Sequence, residues 1–451
     1  MIKPIILTTF LKGEDVMRKL TKVVAVAAPA IMALAAATPA KAGILLMGDN
    51  GWEVTFAGSS NTFYMYSSSE ESPSGTRSGS LVSESGEDMS RLTVGLLPGV
   101  FGMSVKAPST GGLDMMANLT LYPSTQNTAR TWNGSANLNL RESYFKVSGD
   151  FGALLVGRTL NTYGTAPIVN DMGLFGIGGQ YIGDTTLGRI GYGYNYANFG
   201  AQIAWTLPTT GALSLKVAVE DPSKIVGGSA YGAHSTDISA TQLSTPRGAI
   251  SVGVAGGDLG SLTIEGMFQQ AEMSATKCQL AQTNRTNAYG GSDSDKRTQD
   301  GSGASPDCMV DSWGSNATLV SNVQGLGIVV SGFYGEGLGT FFNLDVDSLD
   351  GTGDERIHWG GYAQATFDAG GGTNVGVSYG GTYYGKQTQY DSRNHSSHVT
   401  IKARELLSAM VWHNINDNLR LVAEYGHVED EWNDGASRES DAVSVGGFFF
   451  W

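Results

Sequence analysis

The chain ends on SDAVSVGGFFFW, residues 440–451, in which apolar side chains recur at alternate positions. Val443, Val445, Phe449 and Trp451 fall on one face of an extended strand, because successive side chains of a strand point to opposite faces. No polar residue follows the last aromatic ring, and four such rings would be costly to expose to water. We therefore expect the last strand of a barrel that closes within a lipid bilayer.

The same two-residue period recurs in other segments. In LRLVAEYGHV, residues 419–428, one face carries Leu419, Leu421, Ala423 and Tyr425. In TPRGAISVGV, residues 245–254, Ile250, Val252 and Val254 face away from Ser251 and Gly253. One greasy face and one small or polar face per strand is typical of a barrel with lipid outside and water inside.

The first 42 residues are predicted to be a leader and not part of the fold. Basic residues at Arg18, Lys19 and Lys22 precede an apolar core, and Ala40-Lys-Ala42 has the small-x-small pattern of a cleavage site. These features are typical of a secretory signal peptide. We expect cleavage after Ala42, with residues 1–16 as an upstream extension. Residues 43–451 then form a single barrel domain.

Charge and hydropathy exclude two classes of protein. Residues 1–42 hold six Lys or Arg and two Asp or Glu, so the net charge of −14 becomes −18 without them. An acidic chain of this kind argues against nucleic acid as a partner. Beyond Gly43 no apolar run approaches the roughly 20 residues that a membrane helix needs, so a membrane protein must here be a barrel.

The connections alternate between short and long, which predicts short periplasmic turns and long external loops. The fold class is therefore all-β, a transmembrane antiparallel barrel of about 16 strands. The predicted strands are 52–66, 90–106, 112–122, 134–148, 153–159, 187–206, 212–220, 246–256, 261–273, 313–324, 328–343, 356–368, 374–387, 399–415, 419–431 and 439–451. Segment 187–206 changes phase, so we expect either a bulge near Asn198–Gly200 or a turn that makes two strands.

Cys278 and Cys308 are the only cysteines, and both lie in one long polar stretch. In an exported protein an isolated pair is most simply a disulfide that closes a loop. The stretch between them has carboxylates but no histidine, which does not favour a metal site.

The segments NLRESYFKVSGDFGALLVGRTLNTYG (139–164), NDMGLFGIGG (170–179) and TLGRIGYGY (186–194) resemble the general diffusion porins of Gram-negative bacteria. The resemblance implies a homotrimer of 16-stranded barrels in the outer membrane, with the third loop folded into the lumen. It implies passive diffusion of small hydrophilic solutes. The C-terminal strand, with Phe449 and Trp451, is similar to the signal read by the outer-membrane barrel-assembly machinery, with Trp where Phe is usual.

The resemblance also implies a charged constriction. Arg158 and Arg189 match arginines of the pore wall, and Asp171 matches the start of the inward loop. Asp184 is the next carboxylate along the chain, so the loop tip between them is uncharged. Basic residues facing loop carboxylates would set a transverse field that filters solutes.

Alternation adds two further candidates to the basic wall. Arg141 is inward if Leu138 and Leu140 face outward, and Arg91 is inward by the same argument from Leu92. Glu142 then falls on the outward face, which is expensive in lipid. Either it lies in a subunit interface or the register has been misassigned.

Other functions are less well supported by the sequence. An enzyme is not expected, since GxSxG is absent and His395 and His398 have no third ligand nearby. We expect no cofactor, except that acidic external loops such as 344–355 could hold a divalent cation or bridge lipopolysaccharide through one. A channel selective for a sugar, phosphate or dicarboxylate, and a plugged barrel acting as adhesin or receptor, stay as alternatives.

Overall fold

The structure is a computed structural model that describes residues 43–71, 73, 88–123, 138–179, 186–209, 211–223, 245–257, 260–273, 278–284, 308–345, 347–385, 388–393 and 399–451. Strands dominate it. They are β1 (Ile44–Met47), β2 (Glu53–Ser69), β3 (Met89–Thr93), β4 (Val100–Lys106), β5 (Asp114–Pro123), β6 (Leu138–Gly149), β7 (Gly152–Leu160), β8 (Phe199–Thr206), β9 (Leu213–Glu220), β10 (Arg247–Ala255), β11 (Ser261–Glu272), β12 (Met309–Val323), β13 (Leu326–Glu336), β14 (Ile357–Gly370), β15 (Thr373–Tyr384), β16 (Ile401–Asn414), β17 (Leu419–Trp432) and β18 (Ser437–Phe450).

The sheet closes on itself as a 16-stranded antiparallel barrel. Each strand pairs with the next along the chain, and β18 pairs back with β2, with Phe449 opposite Ser60. β3 and β4 both pair with β2 and together form one strand of the wall, while β1 only extends the edge beside β2. The predicted fold class is confirmed.

Helices are few and short among the described residues. They are Thr165–Val169, 278–284 and Gln389–Arg393, with 3-10 turns at Asp49–Gly51 and Met172–Phe175. In the part of the chain that the structure describes, no helix is both long enough and apolar enough to span a bilayer.

The two faces of the wall differ as the alternation predicts. On β18, Val443, Val445 and Phe449 are half exposed on the outer face, while Ala442 and Phe448 are buried on the inner face. Large apolar side chains are exposed in the same way on nearly all the other strands. An apolar surface of this extent requires lipid around it, since soluble proteins rarely expose large apolar patches.

Two predicted strands are interrupted in the structure. The predicted strand 90–106 is broken at residues 94–99, which turn into the lumen, so that Val94, expected to face outward, is buried. The predicted strand 328–343 ends at Glu336, and the chain then turns inward through Gly337, whose φ is +66°. In both cases contacts inside the barrel replace pairing in the wall.

The predicted strand 187–206 is wrong in its first half. Only Phe199–Thr206 belongs to the wall, and residues 187–198 lie inside the barrel. Neither a bulge nor a pair of strands produces the change of phase. Tyr192 and Tyr194 alternate with glycines because they pack in the lumen, where both are almost completely buried.

Candidate functional site

The lumen is crossed by the connection between β7 and β8, of which the structure describes residues 161–179 and 186–198. We call these residues the lumen segment. This is the third long loop, and its inward folding agrees with the expectation from the sequence. Wall carboxylates hold its first turn. The backbone N–H of Thr162 donates to Glu220 at 2.6 Å, and those of Gly164 and Ala166 donate to Glu265 at 2.9 and 3.0 Å.

The middle of the lumen segment is held by other strands. Met172 N–H donates to Gln364 Oε1 on β14 at 2.7 Å. Ile177 N–H donates to Glu424 on β17 at 2.6 Å, and Gly178 N–H reaches the same carboxylate. Hydrogen bonds to charged acceptors are worth about 1.5–3 kcal/mol each, so the segment is firmly attached to opposite sides of the barrel.

A row of small residues on the wall seats the start of the lumen segment. Ala204, Ala218 and Ala249 lie opposite one another on β8, β9 and β10, and they form a buried cluster with Tyr163. Beyond Met267 on β11, Gly314 on β12 lies in the same row, and a Cβ there would lie 2.6 Å from the Tyr163 hydroxyl. Small side chains on these strands therefore make room for an aromatic ring.

The break in the wall at residues 94–99 meets the tip of the lumen segment. Leu96 N–H donates to Gly176 O at 2.8 Å, and Leu97 N–H donates to Leu174 O at 3.3 Å. Asn61 on β2 ties the break to the wall by accepting from Gly95 N–H and donating to Leu97 O. Backbone bonds that a continuous strand would make with β2 are here made with the lumen segment.

The connection between β13 and β14 also folds inward. Tyr196 N–H donates to Phe341 O at 2.7 Å, and Asn195 donates to Leu338 O, so this second segment packs on the lumen segment. Further along, Asp350 accepts from the backbone of Thr352 and Asp354. Burial, together with the nearby charge of Asp354, raises the pKa of the Asp350 carboxyl.

Arg158 does not line the lumen, which corrects the prediction made for it. Its neighbours across the strands are Ser143 and Ala201, and all three side chains are exposed on the outer face. The next residue, Thr159, points inward and is buried. The motif correctly predicts an arginine on a strand. Because side chains alternate along β7, this arginine faces outward.

Arg189 and Asp171 lie inside the barrel, buried within the lumen segment. Arg189 is 1% exposed, donates from Nη1 to Leu406 O at 2.9 Å and from Nε to Ser378 at 3.0 Å, and so ties the segment to β15 and β16. Asp171 accepts from Gly173 N–H and from the Tyr194 hydroxyl, both at 2.8 Å. Arg189 therefore belongs to the inserted loop and not to a wall strand.

Arg141 sits at a bulge that resolves the position of Glu142. The register between β5 and β6 shifts so that Glu142 lies opposite Thr120 and Leu140 opposite Leu121. Glu142 therefore points inward, where it is fully buried and accepts from Thr159 at 2.7 Å. Of the two explanations offered for Glu142, a subunit interface and a misassigned register, the second is correct. Arg141 lies over the Tyr122 ring, 4.8 Å from its centroid.

The other predicted residues have definite places, with one exception. Arg91 lies opposite Met65, a buried inward residue, and is half-buried in the lumen. A disulfide joins Cys278 and Cys308, whose Cα atoms are 5.6 Å apart. Trp451 exchanges backbone hydrogen bonds with Gly58 at 2.9 and 3.1 Å, and Phe449 faces outward. Asp184 lies outside the described residues, as do His395 and His398.

Three wall carboxylates that hold the lumen segment were not among the residues predicted from the sequence: Glu220, Glu265 and Glu424. The alternation along the strand predicts that they point inward, because Glu424 lies on the same strand face as Arg420 and on the opposite face from Leu421 and Ala423. Their partners are backbone N–H groups of a distant segment. No residue motif carries that signal.

The barrel can be compared with known proteins. No protein-family model and no curated protein sequence matches the chain. Solved structures do match. The outer membrane channel DcaP of Acinetobacter baumannii shares 14% identity at a TM-score of 0.63, covering 90% of this chain and 99% of DcaP.

Two further structures share the architecture. An anion-selective porin from Comamonas acidovorans has 14% identity and a TM-score of 0.56, with 89% of this chain and 100% of that one covered. Salmonella typhi OmpF, in complex with daunomycin, has 10% identity and a TM-score of 0.53, with 90% and 100% covered. The chain thus has the 16-stranded barrel fold of outer-membrane porins.

Proposed function

We propose that the chain is an outer-membrane channel that passes small hydrophilic solutes by passive diffusion. The observation that carries the proposal is a closed barrel whose outer face is apolar and whose lumen holds polar side chains and an inserted segment. Such a barrel crosses a bilayer without unpaired backbone groups and encloses a polar route through it.

A channel is favoured over an enzyme by what the lumen carboxylates do. Glu265 and Glu424 spend their oxygens on backbone N–H groups of the lumen segment, and Glu220 is paired with Arg247 at 2.8 Å. Carboxylates engaged in this way position a loop. They are not poised to transfer protons to a substrate.

A homotrimer is the proposed assembly. Arg158 is a charged residue on an outer face that otherwise meets lipid, and an arginine at mid-bilayer on a barrel exterior costs roughly 2–4 kcal/mol. Ser143 and Ala201 beside it are small, and Ser60 and Thr62 on β2 are also outward and polar. A second copy covering β2–β8 would remove this cost.

Further partners follow from location. Outer-membrane lipid would contact the apolar strands, and the barrel-assembly machinery would read the C-terminal strand with Phe449 and Trp451. Lipopolysaccharide, with or without a divalent cation, would contact the acidic loops. The first segment among them, 67–89, lies largely outside the described residues.

The function is tested by single-channel recording of the refolded full chain in a planar bilayer. Stepwise conductance in groups of three is expected for a trimeric open pore. Correct folding is checked beforehand by the β-sheet circular dichroism spectrum and by resistance to protease. A folded barrel that never conducts would contradict the proposal.

A plugged receptor is the second candidate, and one observation favours it. The lumen segment is bonded to the wall at β9, β11, β14, β15, β16 and β17, and to the break at residues 94–99. Attachment on so many sides leaves little free cross-section at that level. Silence in the bilayer, together with binding of cells or phage by the purified barrel, would select this candidate.

A further inference from the structure

Carboxylates on the inner wall are hidden from water. Beyond the turns, the inward carboxylates of the described strands are Glu142, Glu220, Glu265, Glu424 and Asp430, which are 0, 1, 3, 5 and 0% exposed. Each also has a partner within the protein. Glu142 accepts from Thr159, Glu220 pairs with Arg247, Asp430 pairs with Arg404, and the other two hold the lumen segment.

Cations on the same wall are not all hidden. Arg141, Lys146 and Lys216 point inward and keep part of their surface exposed. Lys146 lies opposite Met116 and Leu155, and Lys216 lies opposite Ser251 and Thr206, so neither has a carboxylate directly across the sheet. Glu220 and Glu265 lie near enough to attract Lys216, but both are already engaged by Arg247 and by the lumen segment. None of the three forms an ion pair with a described acidic residue.

Arg141 is placed at the level of the lumen segment. Its guanidinium donates to the hydroxyl of Tyr196 and stacks near the rings of Tyr122 and Phe199, with the latter centroid 5.6 Å away. Aromatic rings stabilise a cation without cancelling its charge. The positive field of Arg141 therefore extends into the lumen.

Within the described strands, the exposed carboxylates of the inward face all lie next to the short turns. Glu53 faces Lys106 at 3.9 Å, Asp114 accepts from Ser109, and Asp368 accepts from Gly370 N–H. These groups flank the mouth at the turn end of the barrel. They do not share the interior with Arg141.

We infer that the passage selects small anions, such as monocarboxylates and inorganic phosphate, through Arg141, Lys146 and Lys216. The inference rests on the proposed channel function. Charges close to a narrow route dominate the distant acidic loops, because salt screens interactions beyond about 8 Å at physiological ionic strength. Selectivity is thus opposite in sign to what the net charge of −14 suggests.

The test is the reversal potential of the full-length, refolded barrel under a potassium chloride gradient. A potential displaced toward that of chloride supports the inference, and potassium acetate and potassium phosphate should then carry measurable anion current. A potential displaced toward potassium would overturn the inference while supporting the channel. No conductance would instead overturn the channel function itself.

Variants assign the effect to residues. Arg141→Gln, Lys146→Gln and Lys216→Gln should each lower the anion-to-cation permeability ratio about two- to fivefold, as expected for one charge near the route. Lys402→Gln is the matched control, since Lys402 is exposed and pairs with Glu431 at 2.6 Å. An unchanged ratio in the triple variant, with a normal conductance, would contradict the assignment.

Discussion

Whether a residue of this barrel faces the lumen or the outside depends on its odd or even position along the strand. One bulge is enough to exchange the two faces. Arg141 and Glu142 are adjacent, yet both reach the lumen side because the β5–β6 register shifts between Thr120 and Leu121. Arg158 follows an uninterrupted alternation and faces outward. The charge of a residue therefore says less about its location than the regularity of its strand.

Arg158→Gln should weaken the association of subunits and leave ion selectivity unchanged. The side chain lies on the outer face of the wall, where a neighbouring subunit would cover it. Semi-native electrophoresis at increasing temperature would show monomer appearing earlier than in the parent. A shifted reversal potential with an intact trimer would contradict the outward position.

Gly314→Val should destabilise the barrel, because the added Cβ would lie 2.6 Å from the Tyr163 hydroxyl. Overpacking of this kind typically costs about 1–3 kcal/mol. The control is Gly332→Val, on the outer face of the neighbouring strand, where the nearest atom is 3.6 Å away. Thermal unfolding followed by circular dichroism compares the two, and equal midpoints would contradict the seat described for Tyr163.

At the scale of elements, the lumen segment is the part whose structure depends on the rest of the molecule. Among its described residues the only helical turns are Thr165–Val169 and Met172–Phe175, and wall side chains complete several of its backbone hydrogen bonds. An isolated helix of five residues would not form in water. The segment is therefore ordered by the barrel.

Replacing two anchors, Glu265→Gln and Glu424→Gln, should loosen the lumen segment. An amide keeps one acceptor oxygen but loses the charge, so each backbone bond becomes weaker. We expect noisier single-channel traces with a larger mean conductance. Glu429→Gln is the control, because Glu429 lies on the outer face of the same strand. Identical traces for all three variants would show that these anchors do not set the passage.

The disulfide belongs to a separate element on the loop side. Its 30-residue separation predicts about 3–4 kcal/mol of local stabilisation from loop closure. Cys278→Ser with Cys308→Ser should speed protease cleavage between residues 274 and 307 while leaving barrel unfolding unchanged. Unfolding of the barrel in the double variant would contradict the separation between this loop element and the barrel.

At the scale of the whole molecule, closure of the barrel joins the two ends of the chain. β18 pairs with β2 over Ser440 to Phe450, and Trp451 packs on Gly58, where a Cβ would lie 2.6 Å from its ring. On the inner side Phe448 and Phe450 stack, with centroids 5.5 Å apart. The terminal rings of the sequence are thus divided between lipid, lumen and seam.

Deletion of Phe450 and Trp451 should lower the amount of assembled barrel in the membrane far more than it alters any pore that forms. The deletion removes the last pairings of the seam, including both bonds to Gly58. Trp451→Phe is the control and should assemble normally. Membrane fractionation with quantitative blotting measures both, and equal levels of the truncated and parent chains would contradict the role of this end.

The sequence alone determined the barrel and its strand number, whereas the inward third loop was implied by the resemblance to the general diffusion porins. Alternation is a local property of each strand, and the lipid imposes it on every strand alike, so it can be read without knowing any partner. Even the closing strand is legible, because Val443, Val445 and Phe449 must share the lipid face.

Only the tertiary structure decided which segments and side chains fill the lumen. The break at residues 94–99, the inward turn after Glu336 and the bulge at Arg141 arise because segments far apart in the chain compete for the same backbone bonds and the same space. Glu424 meets Ile177 across 247 residues, and no local pattern in either segment records that contact. Which charges face water follows from those contacts, and so does the proposed selectivity.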